Sequence, residues 1–275
     1  MEHACRYNVD MDQVFSVEHI AAARSGQACK VVIEVVRETG STNADLMGRL
    51  DTLAGPVLRV AEKQTAGRGR AGRTWHMEPG KALAFSLAWK FNRPVAHLSG
   101  LPLAVGVGLV DALKAWGIPA QLKWPNDVLK DGSKLAGILV EAASCKNAGQ
   151  QGAWAVIGIG LNLAPSTALA SLVERPVAYA EGLLQDRNLA MATILNHLAE
   201  AMAQFDRQGL QDFTGRWNEL HAYAGQKVVI LDHGRLLHEG MASGIDTLGR
   251  LLLETASGQV PVMSGDISLR PEYKT

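Results

Sequence analysis

The sequence predicts a mixed α/β protein, with one large domain of interleaved strands and helices and a small β-barrel-like appendage near its C-terminal end. Three observations predict it. Apolar runs of strand length recur at 30–37, 56–63, 81–90 and 153–163, with helix-length stretches among them at 98–116 and 188–208. From Gln226 the pattern changes to short strands separated by close turns. The 275 residues, 47% of them apolar, suffice for one large core and one small one.

Taken in order, Asp12–Arg24 reads as a short helix, with Asp12 as N-cap and Gly26 as its stop. Lys30–Arg37 (KVVIEVVR) is a strand. Glu38-Thr39-Gly40 then turns the chain into a helix that starts at Ser41-Thr42-Asn43 and runs to about Leu50. Ser41 or Thr42 can cap it, and Asp45 lies three residues after Thr42, as in a capping box. These residues are either caps alone or polar groups that a helix N-terminus presents to a pocket. Pro56–Lys63 is the second strand. Gln64 follows, either solvated or offering a donor and an acceptor to an amide-like ring.

Lys81–Lys90 (KALAFSLAWK) reads as a buried strand, and Leu98–Trp116 as a helix with Ser99 as cap and Gly117 past its end. Gly106 and Gly108 inside it suggest close packing against a sheet. Gln121–Trp124 is a strand, Pro125-Asn126-Asp127 a turn, and Asp131-Gly132 a hairpin signal before the return strand Ser133–Glu141. Lys134 opens that otherwise apolar strand. It either snorkels to solvent or holds its ammonium against a bound anion, and Glu141 is a candidate partner.

Ala153–Leu163 is a nearly all-apolar strand with Asn162 near its end. Gly158 and Gly160 alternate, so one face there is bare, and something flat or another backbone can approach it. Helices follow at Asn188–Gln208 and Asp212–Leu220. The short strands are Lys227–Asp232, Arg235–Gly240, Arg250–Thr255, Gln259–Met263 and Ile267–Arg270, with turns at His233-Gly234, Leu248-Gly249 and Ser257-Gly258.

Composition narrows the function. Lys plus Arg and Asp plus Glu are both 27, so no global charge holds a polyanion. No apolar run reaches membrane-span length, and Met1–Asp12 is not a signal peptide. Cys5, Cys29 and Cys145 are odd in number and form no C-x-x-C pair, which fits reduced thiols in the cytoplasm. The sequence contains no H-E-x-x-H, EF-hand loop, G-x-S-x-G elbow or P-loop string. A dedicated metal cage is therefore not expected. A magnesium ion arriving with nucleotide phosphates stays open, and Asp127 is the acid best placed for it.

The most informative stretch is Gly67–Trp75, GRGRAGRTW. Three arginines and three glycines share seven residues, and no acid lies between Glu62 and Glu78. The stretch has no apolar period, and its guanidinium groups repel one another. It reads as a solvated basic turn, or as a loop poorly ordered until an anion neutralises it, with glycines letting backbone N–H groups come close. Gly67-x-Gly69-x-x-Gly72 also matches a dinucleotide fingerprint. However, a turn at Glu78-Pro79-Gly80 and a strand follow, where that fingerprint needs a helix and then an acid.

Ser41-Thr42-Asn43, Gln64, GRGRAGRTW at 67–75, KWPND at 123–127, KLAGILVE at 134–141, GIGLN at 158–162 and GDISLR at 265–270 occur in this order. The ordered set resembles biotin protein ligase, the biotin–[acetyl-CoA-carboxylase] ligase, over roughly residues 30 to 270. The resemblance implies an N-terminal extension at 1–29, a catalytic domain related to class II aminoacyl-tRNA synthetases at 30–222, and an SH3-like domain at 223–275. It implies that biotin and Mg-ATP give biotinyl-5′-AMP, from which biotin passes to a lysine of the biotin carboxyl carrier protein.

The resemblance also implies roles for particular residues. Lys134 and Arg70 are the catalytic pair. Ser41, Thr42, Asn43, Gln64, Arg68, Gly69, Arg70 and Lys134 hold biotin. Arg68, Arg70, Arg73, Trp75, Asn126, Asp127, Lys134 and Asn162 hold ATP or the adenylate, with magnesium near Asp127. Bifunctional members carry an N-terminal DNA-reading domain. Here about thirty residues precede the first strand, so the expectation is a ligase without operator binding or membrane association. Whether it forms a homodimer is left open. The rival readings are a lipoate or octanoate ligase or transferase of the same fold, and a non-catalytic regulator that binds biotinyl-AMP.

Overall fold

A computed structural model describes residues 14–145, 152–166, 176–232, 235–263 and 267–271. The large domain is built on a seven-stranded sheet, made of β1 (Val32–Thr39), β2 (Val57–Gln64), β3 (Ala82–Phe91), β4 (Gln121–Lys123), β5 (Asp127–Lys130), β6 (Ser133–Ser144) and β7 (Ala153–Asn162). Their order is β1-β2-β3-β7-β6-β5-β4. Only β1 and β2 pair in parallel, and every other ladder of this sheet is antiparallel. β3 and β7 are central and buried along almost their whole length, which is why both read as continuous apolar runs.

Among the described residues the α-helices are α1 (Val17–Ala22), α2 (Thr42–Met47), α3 (Leu101–Ala115), α4 (Arg187–Gln208) and α5 (Gln211–Glu219). The expected helical glycines face two ways. A Cβ on Gly106 would meet Leu122 of the sheet at 3.0 Å, whereas one on Gly108 would meet Ala201 of α4 at 3.0 Å. α3 is thus sandwiched between sheet and α4, and only Gly106 serves the sheet contact. On the opposite sheet face Leu46 of α2 and Leu50 of the 3₁₀ turn that follows it pack in a smaller core with Val57, Ala88, Trp154 and Val156.

Several helix boundaries differ from expectation. α1 begins at Val17 with Ser16 as N-cap, because Ser16 Oγ accepts the His19 N–H and the Ser16 N–H is anchored by Asn188 on α4. The proposed cap Asp12 lies outside the described residues. Lys30 closes a 3₁₀ turn, Gly26–Lys30, before β1. α2 ends at Met47, short of Leu50. Ser41 is its cap, and the Thr42–Asp45 capping box does not form: the Asp45 carboxylate accepts from Thr39 Oγ1 and Arg59 Nε, each at 2.7 Å. α3 starts at Leu101, after Gly100 rather than Ser99. Pro102 sits in its first turn, where a missing N–H is harmless.

The second, smaller domain is an antiparallel sheet of β8 (Lys227–Asp232), β9 (Arg235–Ile245), β10 (Leu251–Thr255), β11 (Gly258–Val262) and β12 (Ile267–Pro271), ordered β11-β10-β9-β8-β12. β9 runs five residues beyond the expected Gly240. The expected His233-Gly234 turn lies outside the described residues. This sheet docks on the end of the large one. Leu122 of β4 bonds backbone to Leu220 and Ala222, and Trp124 Nε1 donates to the Gly249 carbonyl at 3.1 Å. Among the described residues no helix is long and apolar enough to cross a membrane.

Candidate active site

The sheet face that carries α2 also carries a row of small residues. Across β3, β7, β6 and β5, Ala84 pairs with Gly160, Gly160 with Gly137, and Gly137 with Asp127; one step along, Ser86 pairs with Gly158 and Gly158 with Leu139. The bare face expected from Gly158 and Gly160 is real, and the chain fills it from above. A Cβ at Gly160 would overlap the Trp75 indole, one at Gly137 would touch that ring at 3.5 Å, and one at Gly158 would overlap the Asn43 amide. Trp75 Nε1 is buried and has no hydrogen-bond partner among the described residues.

Above this floor the arginine-glycine stretch is not a free loop. Gly69 N donates to Arg73 O at 2.7 Å, Trp75 N donates to Gly67 O at 2.9 Å, and Arg68 bridges Thr74, so the segment closes into a short hairpin-like flap. Its tip turns through Ala71 and Gly72, both at positive φ, 53° and 69°. For alanine this left-handed conformation is unfavourable, and the flap backbone holds it.

Flap and floor enclose a cavity of 170 Å³. Ser41, Thr42, Asn43, Gln64, Arg68, Gly69, Arg70, Arg73, Trp75, Asn126, Asp127 and Lys134 all line it, although they come from α2, β2, the flap and the β4–β6 region. Asn162 does not line it. That residue is 5% exposed and donates to the Lys134 carbonyl at 3.4 Å, so it braces the strand behind the cavity.

Cations and acids are paired around this space. Lys134 Nζ lies 2.6 Å from Asp127 Oδ1, and Lys123 Nζ lies 3.9 Å from Asp127 Oδ2. Arg70 Nη1 donates to Asn126 Oδ1 at 3.3 Å, and Asn126 Nδ2 donates to the Ile138 carbonyl at 2.7 Å. Glu141 is not the partner of Lys134. It forms an ion pair with Arg68 and accepts from Asn43 Nδ2 at 2.9 Å.

Sequence reasoning missed several of these groups. Ser86, Lys123 and Arg270 also line the cavity. The signal for Ser86 was a single hydroxyl in an otherwise apolar buried strand, and Lys123 and Arg270 stood inside strings already singled out. Among the described residues no group of three or more His, Cys, Asp or Glu could hold a metal ion.

A cation-rimmed, glycine-floored cavity on a mixed sheet, with a small β domain at its shoulder, defines an α/β protein built to hold a small anionic ligand. Comparisons with known proteins narrow the class. A profile described as the biotin/lipoate A/B protein ligase family matches residues 32–162, and one described as the biotin protein ligase C-terminal domain matches 223–270. The bifunctional ligase/repressor BirA of Escherichia coli is 34% identical over 245 residues, spanning 88% of this chain and 75% of its own. The biotin–[acetyl-CoA-carboxylase] ligase of Mycobacterium tuberculosis is 34% identical over 247 residues, spanning 86% of this chain and 88% of its own. A solved biotin protein ligase from Aquifex aeolicus, in complex with biotin and ATP, superposes with a TM-score of 0.71 at 26% identity, covering 88% of this chain and 99% of that one. The chain belongs to the biotin/lipoate A/B protein ligase family.

Proposed function

We propose that the protein is a biotin–[acetyl-CoA-carboxylase] ligase, which activates biotin with ATP and passes it to a lysine of the biotin carboxyl carrier protein. The observation that carries the reading is the convergence of Arg68, Arg70 and Lys134, from two distant stretches of sequence, on one cavity. The relatives named above are biotin ligases, and one is a complex with both small molecules.

In the first step a biotin carboxylate oxygen attacks the α-phosphorus of ATP and pyrophosphate leaves. Both reactants are anionic and repel each other. Cations fixed between them remove that repulsion and stabilise the charge on the phosphoryl oxygens. Lys134 takes that role, exchanging Asp127 for the two anions. Arg68 and Arg70 act from the flap, and Ser41, Thr42, Asn43 and Gln64 offer donors and acceptors to the head group. Arg73, Trp75 and Asn126 face the adenylate, and Asn162 supports Lys134 from behind.

Asp127 fits magnesium of the kind that travels with phosphates. One carboxylate suffices for an ion whose other ligands are phosphate oxygens and water. When bound, that ion would neutralise phosphate charge. In the second step the acceptor lysine amine attacks the acyl carbon of biotinyl-AMP, AMP leaves, and the new amide nitrogen loses a proton. The flap excludes water from this mixed anhydride. Residues 30–222 form the catalytic domain and 223–275 the C-terminal one.

The test is transfer of radiolabelled biotin to a carrier-domain lysine with ATP and magnesium. No transfer under conditions that support ATP–pyrophosphate exchange with lipoate would move the assignment to the lipoate branch of the family.

A further inference from the structure

We infer that Glu141, which does not line the cavity, is a positioning residue for biotin. It sets the direction of a buried hydrogen-bond relay and so decides which atoms of the pocket floor accept and which donate. The inference rests on the ligase reading above.

The relay starts at the flap. The Glu141 carboxylate receives Arg68 on Oε1 and Asn43 Nδ2, at 2.9 Å, on Oε2. An ionised carboxylate has no proton to give, so the Asn43 amide must turn its nitrogen toward it. The Asn43 oxygen therefore faces Ser86, whose Oγ donates to it at 2.5 Å. Ser86 has one proton and has spent it. The 2.7 Å link between Ser86 and Thr42 Oγ1 must then be donated by Thr42.

Thr42 also has one hydroxyl proton, and Gln64 Oε1 lies within reach at 3.1 Å. The shorter link to Ser86 takes it, because two hydroxyl oxygens 2.7 Å apart need a proton between them and Ser86 has none left to give, whereas Gln64 Oε1 is satisfied by the Thr42 backbone N–H at 2.8 Å. Two consequences follow at the cavity wall. Thr42 Oγ1 is left with its lone pairs free to accept, and Gln64, its oxygen held, offers Nε2 as a donor. An acceptor beside a donor matches the edge of a cyclic urea or amide, which carries an N–H next to a C=O. Asn43, Ser86 and Thr42 are 3%, 0% and 2% exposed, so water cannot easily substitute for a missing link.

Glu141→Gln separates this role from shape. The glutamine is isosteric, but it brings one acceptor and one donor. Arg68, being charged, takes the acceptor. The amide NH₂ then faces Asn43 Nδ2, Asn43 turns over, and the relay reverses so that the Thr42 proton points at Gln64. In biotin-dependent ATP–pyrophosphate exchange with the full chain, E141Q should raise the KM for biotin about fivefold, the worth of roughly one net hydrogen bond, with kcat and melting temperature close to the parent's.

Ser86→Ala cuts the relay at its middle. Glu141 and Ser86 do not touch, so they can couple only through Asn43. The double variant should show a KM no higher than the worse single variant. A parental KM in E141Q, or a double variant whose KM rise is the product of the two single rises, overturns the inference. If S86A does not fold, the KM of E141Q decides alone. A parent protein with no biotin-dependent exchange at all brings down the ligase reading first, whatever the variants do.

Discussion

Lys134 Nζ stands 2.6 Å from Asp127 Oδ1 across the hairpin that joins β5 to β6, and a β-bulge puts it there. Val128 pairs with Ala136 while Leu129 pairs with Lys134, so Leu135 is the extra residue in the ladder. Simple alternation would place Lys134 with Ala136 and Ile138, which are buried in the main core. The bulge shifts its side chain to the face of Gly137, where a Cβ would meet Nζ at 3.3 Å. The site's central cation is aimed by one unpaired residue.

Lys134→Ala should therefore slow adenylation at least about tenfold, equivalent to ~1.4 kcal/mol of transition-state stabilisation. The measurement is biotin-dependent ATP–pyrophosphate exchange at saturating biotin. A near-parental rate would show that the ammonium is not between the reacting anions.

Arg70→Gly should release biotinyl-AMP and label bystander lysines. Arg70 ties the flap to Asn126 on the opposite wall, and its loss removes that side-chain tie from a glycine-rich tip. Mass spectrometry of an added non-acceptor protein reads the leak, and unchanged labelling counts against the flap as the water barrier.

Gly160→Ala should displace the Trp75 indole from the cavity floor. The added methyl overlaps the ring, so the indole or the strand must move, at a cost of about 1–3 kcal/mol. Trp75 fluorescence is not isolated in a chain with six tryptophans, so the readout is the KM for biotin together with the melting temperature. Parental values for both would mean that the floor tolerates a side chain.

His221 should make the protein acid-labile. Burial pushes its pKa down to about 4, and neither ring nitrogen has a hydrogen-bond partner among the described residues. The ring packs 4.8 Å from Trp217, at the segment that joins the two domains. Between pH 6.5 and 4 the unfolded chain binds a proton that the folded one refuses, so stability is full above 6.5 and falls with pH down to about 4. His221→Phe should remove roughly 2–3 kcal/mol of that acid loss while changing stability little at pH 8. Denaturant melts at pH 8 and pH 4.5 check it, and an unaltered pH dependence would rule out His221 as the source.

Much of the fold was legible because burial leaves a periodic trace. The strands of the large sheet lie within a few residues of their expected places, since β3 and β7 are buried on both faces and read as continuous apolar runs. Helix starts were less legible. Ser16 rather than Asp12, and Gly100 rather than Ser99, precede α1 and α3, because a cap is chosen by what the neighbouring helix or turn can bond.

By itself the sequence determined the alphabet of the site: two flap arginines, a strand lysine, a polar helix start and two glycines on one strand face. Local spacing suffices for these, since side-chain direction alternates along a strand and charge repels within a loop. Only the tertiary structure decided the pairings. Glu141 took Arg68 and Asn43, Asp127 took Lys134, and Trp75 took the space above Gly137 and Gly160. Those choices depend on strand register and on one bulged residue, and both are settled by the packing of the whole sheet rather than by any short stretch of chain.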